Sequence, residues 1–130
     1  MTPTESELAI LRVLWQQGPA TVRAVNEVLN DPPPPADPPQ RPIGYTTTLK
    51  LLQLMAEKGL VTRDESQRSH VYSPAVAEER TQKSLLRRVV DATFGGSRSE
   101  LVLRALGDGQ ATPAELAEIK RLIEKLEGDA

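Results

Sequence analysis

Cysteine is absent from the 130 residues, which excludes disulfides, thiolate metal sites and thiol catalysis. Histidine occurs once, and the acids are scattered over helix exteriors, so general acid–base chemistry lacks a convergent set of groups. Phosphate-cradling loops are missing too, because Gly95-Gly96 has neither the preceding strand nor the Lys-Ser/Thr such a loop needs. These absences point away from an enzyme, and no cofactor or metal is expected. Aromatic residues make up 3% and hydrophobic residues 38%, so the core must be built from Leu, Val, Ile and Ala, which suits helices better than packed sheets. No apolar run approaches the length of a membrane span, and the start lacks the basic-then-apolar pattern of a signal peptide. The expectation is a soluble, cytoplasmic protein with no membrane insertion.

What the chain does contain is a local imbalance of charge. The formal net charge is −2 and the pI near 5.5, unlike the strongly basic nucleic-acid binders. Between Arg41 and His70, however, Arg41, Lys50, Lys58, Arg63 and Arg68 face only Glu57, Asp64 and Glu65, a net of +2. A field this weak acts more usefully in two copies than in one. The length allows one domain, or a small domain with an appendage, whose modest core oligomerisation would support.

That window holds the stretch from Gly44 to Tyr72. Tyr45-Thr46-Thr47-Thr48 leads into a helical pattern with Leu49, Leu52 and Met55 at three-residue spacing, which Lys58 and Gly59 end. Two extended runs follow, 60–63 and 69–72, joined by a polar tip. A helix followed directly by a two-stranded ribbon is the centre of a winged helix-turn-helix, which lays its helix in the major groove and rests its ribbon on the phosphate backbone. Thr46, Thr47 and Thr48 stand at the positive end of that helix, where hydroxyls and N–H groups meet phosphate and a Thr methyl meets a thymine methyl. Tyr45 reaches a phosphate or packs on the core. Lys50 and Gln53, opposite Leu49 and Leu52, are the candidates for groove contact, and Arg63 and Arg68 for phosphate clamps. His70 reads as an outward-facing surface residue, and Trp15 as core.

From the start of the chain, Thr2 reads as an N-cap with Pro3 first in the helix and Glu5 closing a capping box. Leu8, Leu11, Leu14 and Trp15 share one face of this helix, which stops at Gly18-Pro19. Thr21 caps a second helix with Val22, Val25, Val28 and Leu29 inward and Arg23 and Asn26 outward. Packed on the Leu49, Leu52 and Met55 face, the two give a three-helix core with a ribbon. Between the second and third helices, residues 31–42 include seven prolines among twelve residues, which reads as a stiff, extended surface loop, with PxxP spacing as its one recognition feature.

Residues 1–75 are thus expected to form a winged-helix DNA-binding domain and residues 76–130 a helical domain. The latter contains a long helix from near Val76 to Gly95-Gly96, a short one from Ser97 or Ser99 to about Leu106, and a last one opened by Thr112-Pro113-Ala114-Glu115. Leu116, Ile119, Ile123 and Leu126 fall at heptad spacing. With Leu85, Val89, Leu101 and Leu103 they are the expected dimerisation surface, since these helices carry more apolar side chains than a thin appendage hides. A two-fold dimer would set two recognition helices one DNA turn apart on a roughly palindromic site.

The order of Thr4-Glu5-Ser6-Glu7-Leu8, Val13-Leu14-Trp15, Gly18-Pro19-Ala20-Thr21-Val22, Tyr45-Thr46-Thr47-Thr48, Lys58-Gly59-Leu60-Val61, Tyr72-Ser73-Pro74 and Gly95-Gly96 resembles the penicillinase-repressor family, which includes β-lactamase, methicillin-resistance and copper-responsive repressors. The resemblance spans nearly the whole chain and implies a mainly α (α+β) protein: a winged-helix repressor that binds operator DNA as a homodimer through its C-terminal helices. It also implies a membrane sensor protease as an upstream partner, acting at an Asn-Phe pair in the dimerisation domain. The matching position here reads Arg104-Ala105. Release by metal at C-terminal cysteines is excluded. The competing reading is a winged-helix module that binds a protein rather than DNA, which substitution of Lys50 and Arg68 would distinguish.

Overall fold

The computed structural model describes residues 2–31 and 42–129. They form α1 (Glu5–Gln17), β1 (Ala20–Thr21), α2 (Val22–Leu29), α3 (Tyr45–Glu57), β2 (Val61–Asp64), β3 (Val71–Pro74), α4 (Glu78–Phe94), α5 (Arg98–Gly107) and α6 (Pro113–Gly128). The expected fold class, mainly helical with a small antiparallel sheet, is what is found. The proline-rich loop expected at 31–42 lies, for residues 32–41, outside the described residues.

The chain divides into two compact units, Met1–Leu85 and Leu86–Ala130. The sequence-based division at 75/76 falls before α4, whereas this one falls within it. The opening of α4 belongs with the first unit: just before the helix Trp15 Nε1 donates to Val76 O at 3.1 Å, and the buried Thr81 lines a cleft together with Pro3 and Leu60.

In the first unit, α1 is capped by Thr4 rather than Thr2. The Thr4 hydroxyl accepts from Glu7 N–H at 3.2 Å and Glu7 Oε1 accepts from Thr4 N–H at 2.9 Å. Both threonines satisfy the Thr-x-x-Glu signature, and the choice falls on the glutamate with a tertiary partner, since Glu7 Oε2 also meets Lys58 Nζ at 2.7 Å. This bond joins the start of α1 to the end of α3. There Gly59, at φ 81°, gives its N–H to Ala56 O, and Leu60 gives its N–H to Met55 O. These two bonds are those of a Schellman motif, completed by the apolar pair Met55 and Leu60, both buried.

The core gathers Ile10, Leu11 and Leu14 of α1, Val25 of α2, Leu52 and Met55 of α3, and Leu60, Val61 and Tyr72 around the sheet. Val28, expected inward, is 36% exposed. The eight-residue α2 turns Val22 and Val25 into the core, so its last turn carries Val28 round to the surface.

The sheet has three strands, in the order β1-β3-β2. The extended runs expected at 60–63 and 69–72 sit slightly later, and β1, unforeseen in the sequence, pairs Ala20 with Tyr72 and Thr21 with Val71. On the other edge Arg63 opposes Tyr72 and Asp64 opposes Val71. Thr21 therefore ends a strand and caps α2 at once, accepting from Ala24 N–H at 3.2 Å. This fixes the wing to the first turn of α2.

In the second unit the chain leaves α4 through Gly95 and Gly96, both at positive φ, with Gly96 N–H on Val90 O. Ser97 caps α5, and Thr112 with Glu115 forms the expected capping box of α6. Neither α5 nor α6 buries a residue.

Candidate nucleic-acid interface

The sheet's β1–β3 pairing and the packing of α2 on α3 leave a concave surface of about 610 Å³ between three elements. Thr21, Val22 and Arg23 bound it from the start of α2, Tyr45, Leu49 and Gln53 from α3, and Arg63, Arg68, Ser69 and His70 from the wing, with Tyr72 at its base. Of the expected contact residues it thus gathers Tyr45, Gln53, Arg63 and Arg68. Thr46 and Lys50 are exposed one turn apart on α3 outside it, and Thr47 turns towards a separate cleft beside Glu5, Ser6 and Ala9.

Thr48 does not belong to the contact set. It is 0% exposed, its hydroxyl accepts from Asn26 Nδ2 at 2.9 Å, and it donates to Gly44 O at 3.4 Å. The buried row of α3 is Thr48, Leu52 and Met55, at steps of four and three, so the polar opening of the helix conceals its first inward position. Asn26, expected outward, is the partner that satisfies it.

Arg63 is shared rather than free. Its guanidinium pairs with Glu65, and the Tyr72 hydroxyl, followed by the Glu65 carboxylate, holds its pKa above the ordinary value. A phosphate at Arg63 must therefore compete with Glu65. At the tip, Asp64 Oδ1 accepts from Ser66 N–H at 2.9 Å, and the Ser66 hydrogen bonds, with a smaller contribution from His70, hold that carboxyl below its usual range. The tip is thus shaped by an Asx turn, with Arg68, Ser69 and His70 on the side of the concavity.

Sequence reasoning missed Arg23 as a lining residue, although its outward place on α2 was legible. The signal available was its position in the first turn of the helix that precedes α3, since the first helix of a helix-turn-helix crosses the phosphate backbone. At α3 itself, Gly44 is the N-cap and no side chain caps the helix, so the first N–H groups face outward with the helix dipole behind them. Among the described residues, no three of His, Cys, Asp and Glu come together as a metal ion would require.

A helix with exposed polar residues at an end that no side chain caps, beside a concavity walled by Arg23, Arg63 and Arg68, is a surface for an extended anion rather than a pocket for a small substrate. The family model described as penicillinase repressor matches residues 3–125. The chain belongs to the penicillinase repressor family. Relatives include the transcriptional regulator BlaI of Mycobacterium tuberculosis, in strains CDC 1551 / Oshkosh and ATCC 25618 / H37Rv, each 28% identical over 123 residues that cover 93% of this chain and 82% of the relative. This family member is accordingly a transcriptional regulator and not an enzyme. Among its described residues no helix is long and apolar enough to cross a membrane.

Proposed function

We propose that this penicillinase-repressor family member binds double-stranded operator DNA as a homodimer and represses transcription from it, acting in the cytoplasm. The observation that carries the reading is the concavity between α2, α3 and the wing, with Arg23, Arg63 and Arg68 on its walls and Tyr45 and Gln53 on its α3 side. In this reading α3 enters the major groove, with Gln53 and Lys50 towards base edges and Tyr45, Thr46 and Thr47 near the backbone, while Arg68 at the wing rests on a flanking phosphate.

Dimerisation is supported by the apolar side chains that the single chain leaves open: Leu103 is 71% exposed, Leu126 60% and Ile123 48%, with Val89 and Leu116 each at 45%. Leu101 and Ile119 of the same unit are half-buried, as is Leu85 at the end of the first unit. A surface of this kind on α4, α5 and α6 is covered at low cost by the same surface of a second chain, and a two-fold pair reads a palindrome. Control by a membrane sensor protease would act at Arg104-Ala105, which lies within α5 on exposed turns.

Fluorescence anisotropy on DNA from the region upstream of its own gene, against scrambled DNA over a salt series, tests this. A preference of roughly a thousandfold or more is expected, with two chains per site. Arg68→Ala, which removes one phosphate contact from each of the two chains, should weaken binding to both DNAs alike and reduce the salt slope by about 2. Equal, weak binding to the two DNAs, unchanged by Arg68→Ala, would instead favour a protein partner for the winged helix.

A further inference from the structure

The amide side chains of α2 form a clamp on the start of α3 that none of the expected contacts accounts for. Asn26 Nδ2 donates to Ile43 O at 2.8 Å and to Thr48 Oγ1 at 2.9 Å. One turn on, Asn30 takes hold of the same residue from both sides: its Oδ1 accepts from Ile43 N–H at 2.6 Å, and its Nδ2 donates to Ile43 O at 2.9 Å. The second Nδ2 hydrogen of Asn30 goes to Asn26 Oδ1 at 3.3 Å, and Thr48 passes its own hydrogen to Gly44 O. Every donor of the two carboxamides is thereby used.

Asn30 and Ile43 stand thirteen positions apart in the chain, so these bonds join the end of α2 directly to the start of α3. Gly44 supplies no side-chain cap to α3. The hold on the first turn of α3 comes from the neighbouring helix instead, at Ile43 on one side of Gly44 and at Thr48 on the other. Tyr45, Thr46 and Thr47 lie between those two anchored points.

We propose that Asn26, braced by Asn30, is a positioning residue for DNA recognition: it sets where the first turn of α3 presents Tyr45, Thr46 and Thr47 without touching DNA itself. The proposal rests on the DNA-binding reading above. A residue that positions contacts lowers specific affinity without removing a phosphate contact, so affinity and salt dependence separate. It also couples to the contacts it positions, which a residue that merely adds stability at a distance does not.

The test measures binding of Asn26→Ala and Asn30→Ala to the upstream DNA over the salt series, singly and combined with Thr46→Ala, with urea midpoints to establish folding. Asn30 is exposed, so its variant tests the clamp even where Asn26→Ala folds poorly. A loss of about tenfold is expected, the size of one net hydrogen bond, with an unchanged salt slope and a double variant that loses less than the product of the single losses. Folded variants that bind within twofold of the wild type, or losses that multiply with Thr46→Ala, would overturn the proposal. Should the wild type show no preference for its upstream DNA, the DNA reading fails and the clamp is judged by amide exchange alone. Faster exchange at the Thr48 N–H in Asn26→Ala supports it, and unchanged exchange overturns it.

Discussion

Replacing Lys58 by Met tests the contact that ties α1 to α3. Glu7 is 2% exposed, with one carboxylate oxygen on Thr4 N–H and the other 2.7 Å from Lys58 Nζ, whose side chain is 32% exposed. Methionine preserves the helix propensity and most of the side-chain length, so the change removes the cation and little else. Taking one partner from a fully buried ion pair costs about 3–5 kcal/mol, and from an exposed one under about 1 kcal/mol. Here the carboxylate is buried and water reaches the ammonium, which places the loss at about 1–3 kcal/mol at pH 7. The pH dependence gives a second, independent check. Burial pushes the Glu7 carboxyl up, but the hydrogen bonds from Lys58 and from Thr4 N–H, together with the Lys58 charge, outweigh it and hold the group below its ordinary 4.5. A depressed folded pKa contributes stability that is fully present above the unfolded value and is lost as pH falls through the folded one. In Lys58→Met burial is opposed only by Thr4, so the carboxyl rises and its protonation relieves the stranded charge. The stability gap between wild type and variant should therefore narrow as pH falls from 7 towards 4. Urea unfolding followed by circular dichroism, at one fixed chain concentration and several pH values, measures both quantities. A loss below about 0.5 kcal/mol at pH 7, or a gap that does not narrow on acidification, would refute the reasoning.

Two further perturbations address the core and the assembly. Leu52 is 0% exposed at the meeting of α1, α3 and the sheet, so Leu52→Ala should cost about 2–5 kcal/mol in urea unfolding while leaving the helical spectrum of the folded state intact. Ile123→Asp sets a carboxylate in the middle of the proposed dimer surface, at a position 48% exposed in the single chain, and sedimentation equilibrium should then report the 14.2 kDa chain where the wild type reports a pair.

Much of this architecture was legible in the sequence, and what escaped it did so for identifiable reasons. The Schellman end of α3 and the capping box of α6 were readable because each is a local signature whose parts lie within a few residues. The cap of α1 was ambiguous, since Thr2 with Glu5 and Thr4 with Glu7 fit the same local rule, and Lys58, fifty-one positions away, decided between them. Asn26 and Thr48 were assigned to the wrong side for a related reason. Apolar periodicity places polar residues outward by default, and it carries no information about a carboxamide that satisfies a buried hydroxyl on another helix. β1 escaped because two residues are too few for any alternation to show. In the candidate interface, Tyr45, Gln53, Arg63 and Arg68 could be chosen from residue type and position alone, whereas the pairing of Arg63 with Glu65 depends on the turn of the wing.

That pairing bears on how many chains the DNA must hold. With Arg63 partly neutralised by Glu65, one copy brings Arg23, Lys50 and Arg68 as its main cations near the concavity or on the exposed face of α3. Each neutralised phosphate contributes about −0.9 to the slope of log affinity against log salt, so Arg23 and Arg68 on phosphates, with Lys50 displacing a further counterion from the groove, would give a single chain a slope of about −3 and a pair about −5 to −6. The net charge of −2 adds a repulsion that non-specific binding cannot offset, which leaves two correctly spaced half-sites as the route to useful affinity. A slope near −3 with one chain per site would therefore contradict the dimeric reading even if the DNA preference itself were strong. A steep slope that falls by half in Ile123→Asp would tie the exposed face of α6 directly to operator binding.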